Sequence, residues 1–208
     1  MFCIHPNLTA MNLTLYNDET EKQTEILSQS TNLAVTQRLV QLKYTCQCCG
    51  LQSRPHKKVI TGYIEVFALD GRLTALCTMC MQAIHLSRKH QSYNHGLIIY
   101  CPSLSQGQLS RLAQMLYLAK LRNSPGAEYA DQLINDIQSK GVTPLAQTFP
   151  GLKTGALSEF INLWQYASPK IHRNSQALFG GLRYWPFEMP FRHQVQFWQV
   201  ATFNHLTE

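Results

Sequence analysis

Two Cys-x-x-Cys pairs, a hairpin signal in the segment between them and a second half with helical periodicity predict an α+β fold: a small metal-bound unit embedded in a mostly helical single domain. The pairs read Cys46-Gln47-Cys48-Cys49-Gly50 and Cys77-Thr78-Met79-Cys80. Two residues between paired cysteines let one tight turn present both sulfurs to the same ion. Four thiolates at tetrahedral corners are what zinc prefers. The expectation is one structural zinc ion held by Cys46, Cys49, Cys77 and Cys80, with Gly50 supplying the positive φ that lets the first turn fold back. Disulfides fit less well, because the N-terminus lacks the basic flank and apolar run of a secretory signal. A redox Cys-x-x-Cys would normally occur once, inside a thioredoxin-like unit that is not recognisable here. Cys48, His56, His85 and His90 stay open as alternative ligands.

The 27 residues from 50 to 76 exceed a short zinc-ribbon spacing, so folded structure must fill the gap. Val59 to Leu76 reads as a β-hairpin. Ile60, Tyr63, Ile64, Val66, Phe67 and Leu69 supply β-branched, aromatic and aliphatic residues, and Asp70-Gly71 is a strong turn signal. A helix from Thr78 to about Lys89 follows, placing Cys77 and Cys80 at its first turn, where the dipole favours thiolates. Arg88-Lys89-His90 would complement its other pole. Knuckle, hairpin and helix in this order make a treble clef.

Around that unit, three stretches are expected: an N-terminal appendage over 1–35, the zinc-binding unit over 36–101, and a helical annex with an aromatic tail over 102–208. The appendage has an extended Leu8 to Tyr16 and an acidic polar run, Asn17 to Ser30, too poor in apolar residues for a firm helix. Asn7 and Asn12 match glycosylation acceptors, a chance match without export. Thr36 to Lys43 suggests a short helix or strand, and Leu97 to Tyr100 a further strand.

In the annex, Ser105 to Arg122 is apolar almost all round, which marks a buried or partner-covered helix. Ser124-Pro125 is read as the cap and first turn of a second helix, buried through Ala130, Leu133, Ile134 and Ile137 and ended by Gly141. Gly155 to Tyr166 is a third helix, with Leu157, Phe160, Ile161 and Trp164 at helical spacing. Beyond Phe179 the chain is dense in aromatics and broken by Gly180-Gly181, Pro186 and Pro190, suggesting loops. Tyr184, Trp185, Phe187, Phe191 and Trp198 are candidates both for the core, the favoured reading, and for anchors at a partner interface.

The net charge of +6 is unevenly spread: −3 over 1–37, +6 over 38–90 and +3 beyond. Four thiolates with one zinc ion would lower the middle segment to +4. That balance suits nucleic acid, an acidic protein partner or a plain solvated surface. No segment has the apolar length to cross a bilayer, so a cytoplasmic location is expected. Phosphate-binding loops, nucleophile elbows and paired-histidine metal motifs are missing, and Cys3 and Cys101 are lone cysteines of the kind that are usually inert.

The run from Arg38 to Gly50, the hairpin and Leu73-Thr74-Ala75-Leu76-Cys77-Thr78-Met79-Cys80 resemble the HNH-type nuclease fold with its structural zinc, over roughly residues 36 to 90. The resemblance implies a histidine on the first hairpin strand, an asparagine before the second pair and a histidine or asparagine after the last cysteine. The chain instead has Gly62-Tyr63-Ile64-Glu65-Val66-Phe67, Arg72 and Met81, so no catalytic residue is carried over. Taken whole, the decayed HNH-like unit, helical annex and aromatic tail resemble the soluble subunits of the Dot/Icm type IVB secretion coupling complex. That resemblance implies a non-catalytic adaptor at the cytoplasmic face of the bacterial inner membrane, peripheral through its partners. It would clamp a segment of the coupling ATPase DotL, with DotM and adaptor chaperones in the same complex delivering effector proteins. The alternative class is a degenerate nuclease or nucleic-acid-binding zinc module.

Overall fold

The computed structural model describes residues 32–69, 72–84, 86, 95–123, 125–149, 151–168 and 180–203. Residues 1–31 of the expected appendage, with Cys3, Asn7 and Asn12, and the residues His85 and His90 lie outside them. The first element among the described residues is α1 (Asn32–Gln41), which buries Leu39 and leaves Leu33 and Val40 exposed. Arg38 Nε donates to Leu73 O at 3.1 Å, pinning α1 to the hairpin. Lys43 and Tyr44 then take left-handed φ values of 52° each, turning the chain out of the helix and into the first cysteine pair.

The hairpin is β1 (Ile64–Leu69) and β2 (Arg72–Cys77), antiparallel, with Ile64 opposite Cys77 and Leu69 opposite Arg72. That register leaves a two-residue connection, Asp70-Gly71, which lies outside the described residues. The strands start at Ile64, since Val59 to Tyr63 form turns and an isolated bridge joins His56 to Val59. Helix α2 (Thr78–Ile84) follows at once, buried along almost its whole length. Its continuation towards Lys89 falls on residues that are not described.

A second antiparallel pair joins β3 (Gly96–Tyr100) to β4 (Leu182–Pro186), with Ile98 opposite Tyr184. Between them in sequence come α3 (Gln106–Leu121), α4 (Ala127–Thr148) and α5 (Leu157–Gln165). A capping box starts α3: Gln108 N–H donates to Ser105 Oγ at 3.2 Å, and Ser105 N–H to Gln108 Oε1 at 2.8 Å. Leu109, Ala113, Leu116, Tyr117 and Leu118 of α3 are buried, which accounts for its nearly continuous apolar surface.

Two expectations change here. Gly141 does not end α4, which runs on to Thr148 through Pro144. Gly141 is needed for a close approach instead, since a Cβ there would lie 2.7 Å from the Cβ of Ile99 on β3. The start also shifts, to a cap at Gly126. The aromatic tail, second, is not loop-rich. It forms β4, a short 3-10 turn (Met189–Phe191) and α6 (Arg192–Ala201).

Glutamine amides complete two sheet edges. Gln47 N–H donates to Ala75 O and Ala75 N–H to Gln47 Oε1, both at 2.9 Å, so Gln47 pairs with β2 as a strand residue would. Gln106 does the same for β4, donating from Nε2 to Tyr184 O at 2.8 Å and accepting from Tyr184 N–H at 2.9 Å. One contiguous core runs from Leu39 through the cysteine pairs and α3 to Trp198 and Phe203, so the cysteine unit and the helices share a single interior. A smaller cluster under α5 gathers Ile98, Leu145, Leu152, Leu157, Phe160, Leu182 and Tyr184.

Candidate metal centre

The first cysteine pair is shaped by a tight turn. Gly50 N–H donates to Cys46 O at 2.9 Å, Cys46 N–H to Leu51 O at 2.8 Å, and Gly50 takes φ 71°. The second pair straddles the junction of two elements, because Cys77 ends β2 and Cys80 lies in the first turn of α2. The Gln47–Ala75 pairing sets the two segments side by side.

As a result the sulfurs of Cys46, Cys49, Cys77 and Cys80 all lie within 4.8 Å of one another. Cys49 Sγ and Cys77 Sγ are 3.7 Å apart. A disulfide would need about 2.0 Å, and these cysteines are free. Four sulfurs at about 2.3 Å from one tetrahedral ion would be separated by about 3.8 Å. Three of the four are buried and Cys49 is half-buried.

The electrostatics of the quartet call for a cation. Burial pushes the Cys77 thiol well above its ordinary value, and its hydrogen-bonding contacts with Cys46 and Cys49 push it further. Cys80 is raised by contacts with Cys46, Cys48, Cys49 and Cys77, and by burial. Burial opposes ionisation of Cys46 too, but the surrounding Cys49, Cys77 and Cys80 thiols donate to it and hold it well below the ordinary thiol value. Burial therefore works against gathering several thiolates in so small a space without a counter-charge. A divalent ion is what would let all four ionise together, so the donor set fits a thiophilic metal.

The other sequence candidates fall elsewhere. Cys48 is outside the quartet and lies under the first turn of α3, where a Cβ on Gly107 would come within 2.8 Å of the Cys48 carbonyl carbon. His56 packs edge-on against Phe197, with ring centroids 6.2 Å apart. Glu65 is half-buried on β1, and Met81 is buried in α2. Tyr184, Trp185, Phe191 and Trp198 are at most 5% exposed and pack into the chain's own core, the favoured of the two sequence readings. Phe187 is half-buried against the same core. Trp198 Nε1 donates to Gly62 O at 3.3 Å, and Trp185 meets Tyr117 edge-to-face.

Sequence reasoning missed one participant. Gln114 of α3 donates from Nε2 towards Cys49 Sγ and Cys77 Sγ, 3.5 Å from each. Only the fold brings it there, since α3 reads as apolar and Gln114 carries no local signal.

The chain is 24% identical over 169 residues to the type 4 apparatus protein DotN of Legionella pneumophila, covering 80% of this chain and 78% of that protein. The sequence matches no protein-family model. Among the described residues, no helix is long and apolar enough to cross a membrane.

Proposed function

We propose that this protein is a DotN-like, non-catalytic subunit of a type IVB secretion coupling complex, built on a treble clef locked by one structural zinc ion. The single observation that carries the metal assignment is the convergence of four cysteine sulfurs within 4.8 Å. The likeness to DotN over most of both chains supports the assignment to a secretion apparatus. The order of knuckle, hairpin and short helix supports descent from an HNH-like unit. Glu65, Arg72 and Met81 stand where that fold's catalytic groups would be, which supports a structural role.

In this reading zinc supplies folding free energy, about 10 to 16 kcal/mol of apparent binding, comparable to the stability of a whole domain. Cys46, Cys49, Cys77 and Cys80 would hold it, and the shared core transmits its rigidity to α3 and α6. The scaffold would then grip a segment of the coupling ATPase DotL at the cytoplasmic face of the inner membrane, in company with DotM and adaptor chaperones, and so help recruit effector proteins. With Tyr184, Trp185, Phe191 and Trp198 buried, the gripping surface would draw on Phe187 and residues outside that set.

A second reading, a nucleic-acid-binding zinc module, is favoured by one observation. Residues 32–64 contain Arg38, Lys43, Arg54, Lys57 and Lys58 and no acidic residue. Titrating the zinc-loaded protein separately with the cytoplasmic part of the ATPase and with duplex DNA, each at low and high salt, tests both. Stoichiometric ATPase binding with a shallow salt dependence supports the adaptor. DNA binding with a steep salt slope, and no ATPase binding, would replace it with the second reading.

A further inference from the structure

Gln114 enters the metal centre from outside the cysteine unit. It is 1% exposed, near the middle of α3, and stands 65 residues from Cys49 and 37 from Cys77. Its Nε2 lies 3.5 Å from each of their sulfurs, which are 3.7 Å apart. An amide nitrogen carries two hydrogens, so one group can donate to both sulfurs at once. Arg111, one turn earlier, donates from a terminal guanidinium nitrogen to Gln114 Oε1 at 3.4 Å. That contact fixes the amide's orientation, because the reversed amide would set its oxygen against two sulfurs and its nitrogen against a cation. Arg111 in turn lies over the Phe203 ring, 5.1 Å from its centroid.

We propose that Gln114 is a positioning residue of the metal centre, donating to the Cys49 and Cys77 thiolates of the loaded quartet and tying metal occupancy to the seating of α3. The proposal rests on the reading that the quartet holds zinc. Four thiolates and a divalent ion leave a charge of −2 in a mostly buried site, and such a charge is costly unless dipoles are aimed at it. Gln114 supplies a dipole to one sulfur from each cysteine pair, so it spans the two halves of the site. Arg111 polarises the amide further in the favourable sense. The same helix holds the C-terminal elements: Tyr117 donates its hydroxyl to Pro186 O, and Arg122 donates to Phe203 O. Metal loading therefore acts on α3, and through α3 on the tail.

The test uses the full chain as wild type, Gln114→Leu and Arg111→Gln, each loaded with cobalt(II). It reads the energy of the sulfur-to-cobalt charge-transfer band and the affinity measured by competition with a chelator. Gln114→Leu keeps most of the volume and removes the donor. The expected result is a shift of the band to lower energy, since a thiolate without its hydrogen bond is a better electron donor, with affinity about 10- to 100-fold lower. Arg111→Gln should move both readouts the same way by less. Loss of packing alone would not shift the charge-transfer energy. Wild-type bands and affinity in both variants would overturn the proposal. If Gln114→Leu does not fold, Arg111→Gln decides alone: a shifted band supports the proposal and an unmoved one overturns it. A wild-type chain that takes up neither cobalt nor zinc removes the zinc reading itself. That outcome is distinct from one in which the wild type loads and the variants match it.

Discussion

Replacing Gly107 with alanine tests whether the helices and the cysteine unit form one body. Gly107 is in the first turn of α3 and faces the backbone of Cys48, between Cys46 and Cys49 of the quartet. An alanine Cβ would sit 2.8 Å from the Cys48 carbonyl carbon and closer still to its oxygen, where ordinary contact begins at 3.4 Å. Backbone cannot rotate away as a side chain can, so the helix start and the knuckle must separate. Overpacking of this kind costs up to about 3 kcal/mol, against a helix-propensity gain of about 1 kcal/mol for alanine over glycine. The net loss is about 2 kcal/mol, which in a chain of this size lowers the melting temperature by about 4 to 8 °C. The assay is thermal unfolding of the zinc-loaded protein followed by circular dichroism, beside Gly151→Ala. There the nearest atom is the end of the Leu163 side chain, so the change should stay within about 0.5 kcal/mol. A Gly107→Ala protein as stable as the wild type would refute the close approach of α3 to the knuckle.

Cys46→Ser and Cys80→Ser should each yield insoluble or protease-sensitive protein, read by solubility and limited proteolysis; a well-folded, zinc-free variant would defeat the structural role of the metal. Trp185→Ala and Trp198→Ala should each lose about 3 to 5 kcal/mol of stability in denaturant titrations, as fully buried indoles do, whereas surface anchors would lose binding and keep their stability. Alkaline pH should destabilise the fold. Burial raises Tyr117 and Tyr184 above the ordinary phenol value. Lys120 is also raised, burial being outweighed by its pairs with Asp131 at 2.7 Å and Glu188 at 2.5 Å. For groups raised on folding, the stabilisation is complete below the unfolded value and is lost as pH climbs towards the folded one, so unfolding free energy should fall from about pH 10 upward. A flat profile between pH 9 and 11 would contradict the burial of these groups.

The parts of this fold that were legible in sequence are those fixed by local chemistry. The register of β1 and β2 follows from Ile64 to Leu69 and Arg72 to Cys77 flanking a two-residue connection. The cap of α3 follows from Ser105 and Gln108. The four cysteines announced themselves by spacing, and the fold gathers their sulfurs. What escaped depends on distant packing. Gly141 looks like a helix stop until Ile99 of β3 is laid against it, after which the missing Cβ is what allows α4 to pass. Leu182–Pro186 looks like aromatic loop because its partner strand, Gly96–Tyr100, lies far back in the chain. Pro186 ends that strand and Pro190 falls within a 3-10 turn, positions where proline is tolerated. Gln114 is a polar residue on a helix that reads as apolar, and its use appears only when Cys49 and Cys77 are seen beneath it.

The zinc content of the purified full chain tests the central claim most directly, measured by native mass spectrometry and elemental analysis beside the Cys46→Ser chain. A zinc-locked scaffold requires one zinc ion per wild-type chain, retained through purification and missing from the variant. A wild-type chain that is folded, monodisperse and metal-free, with all four thiols open to alkylation, would contradict it.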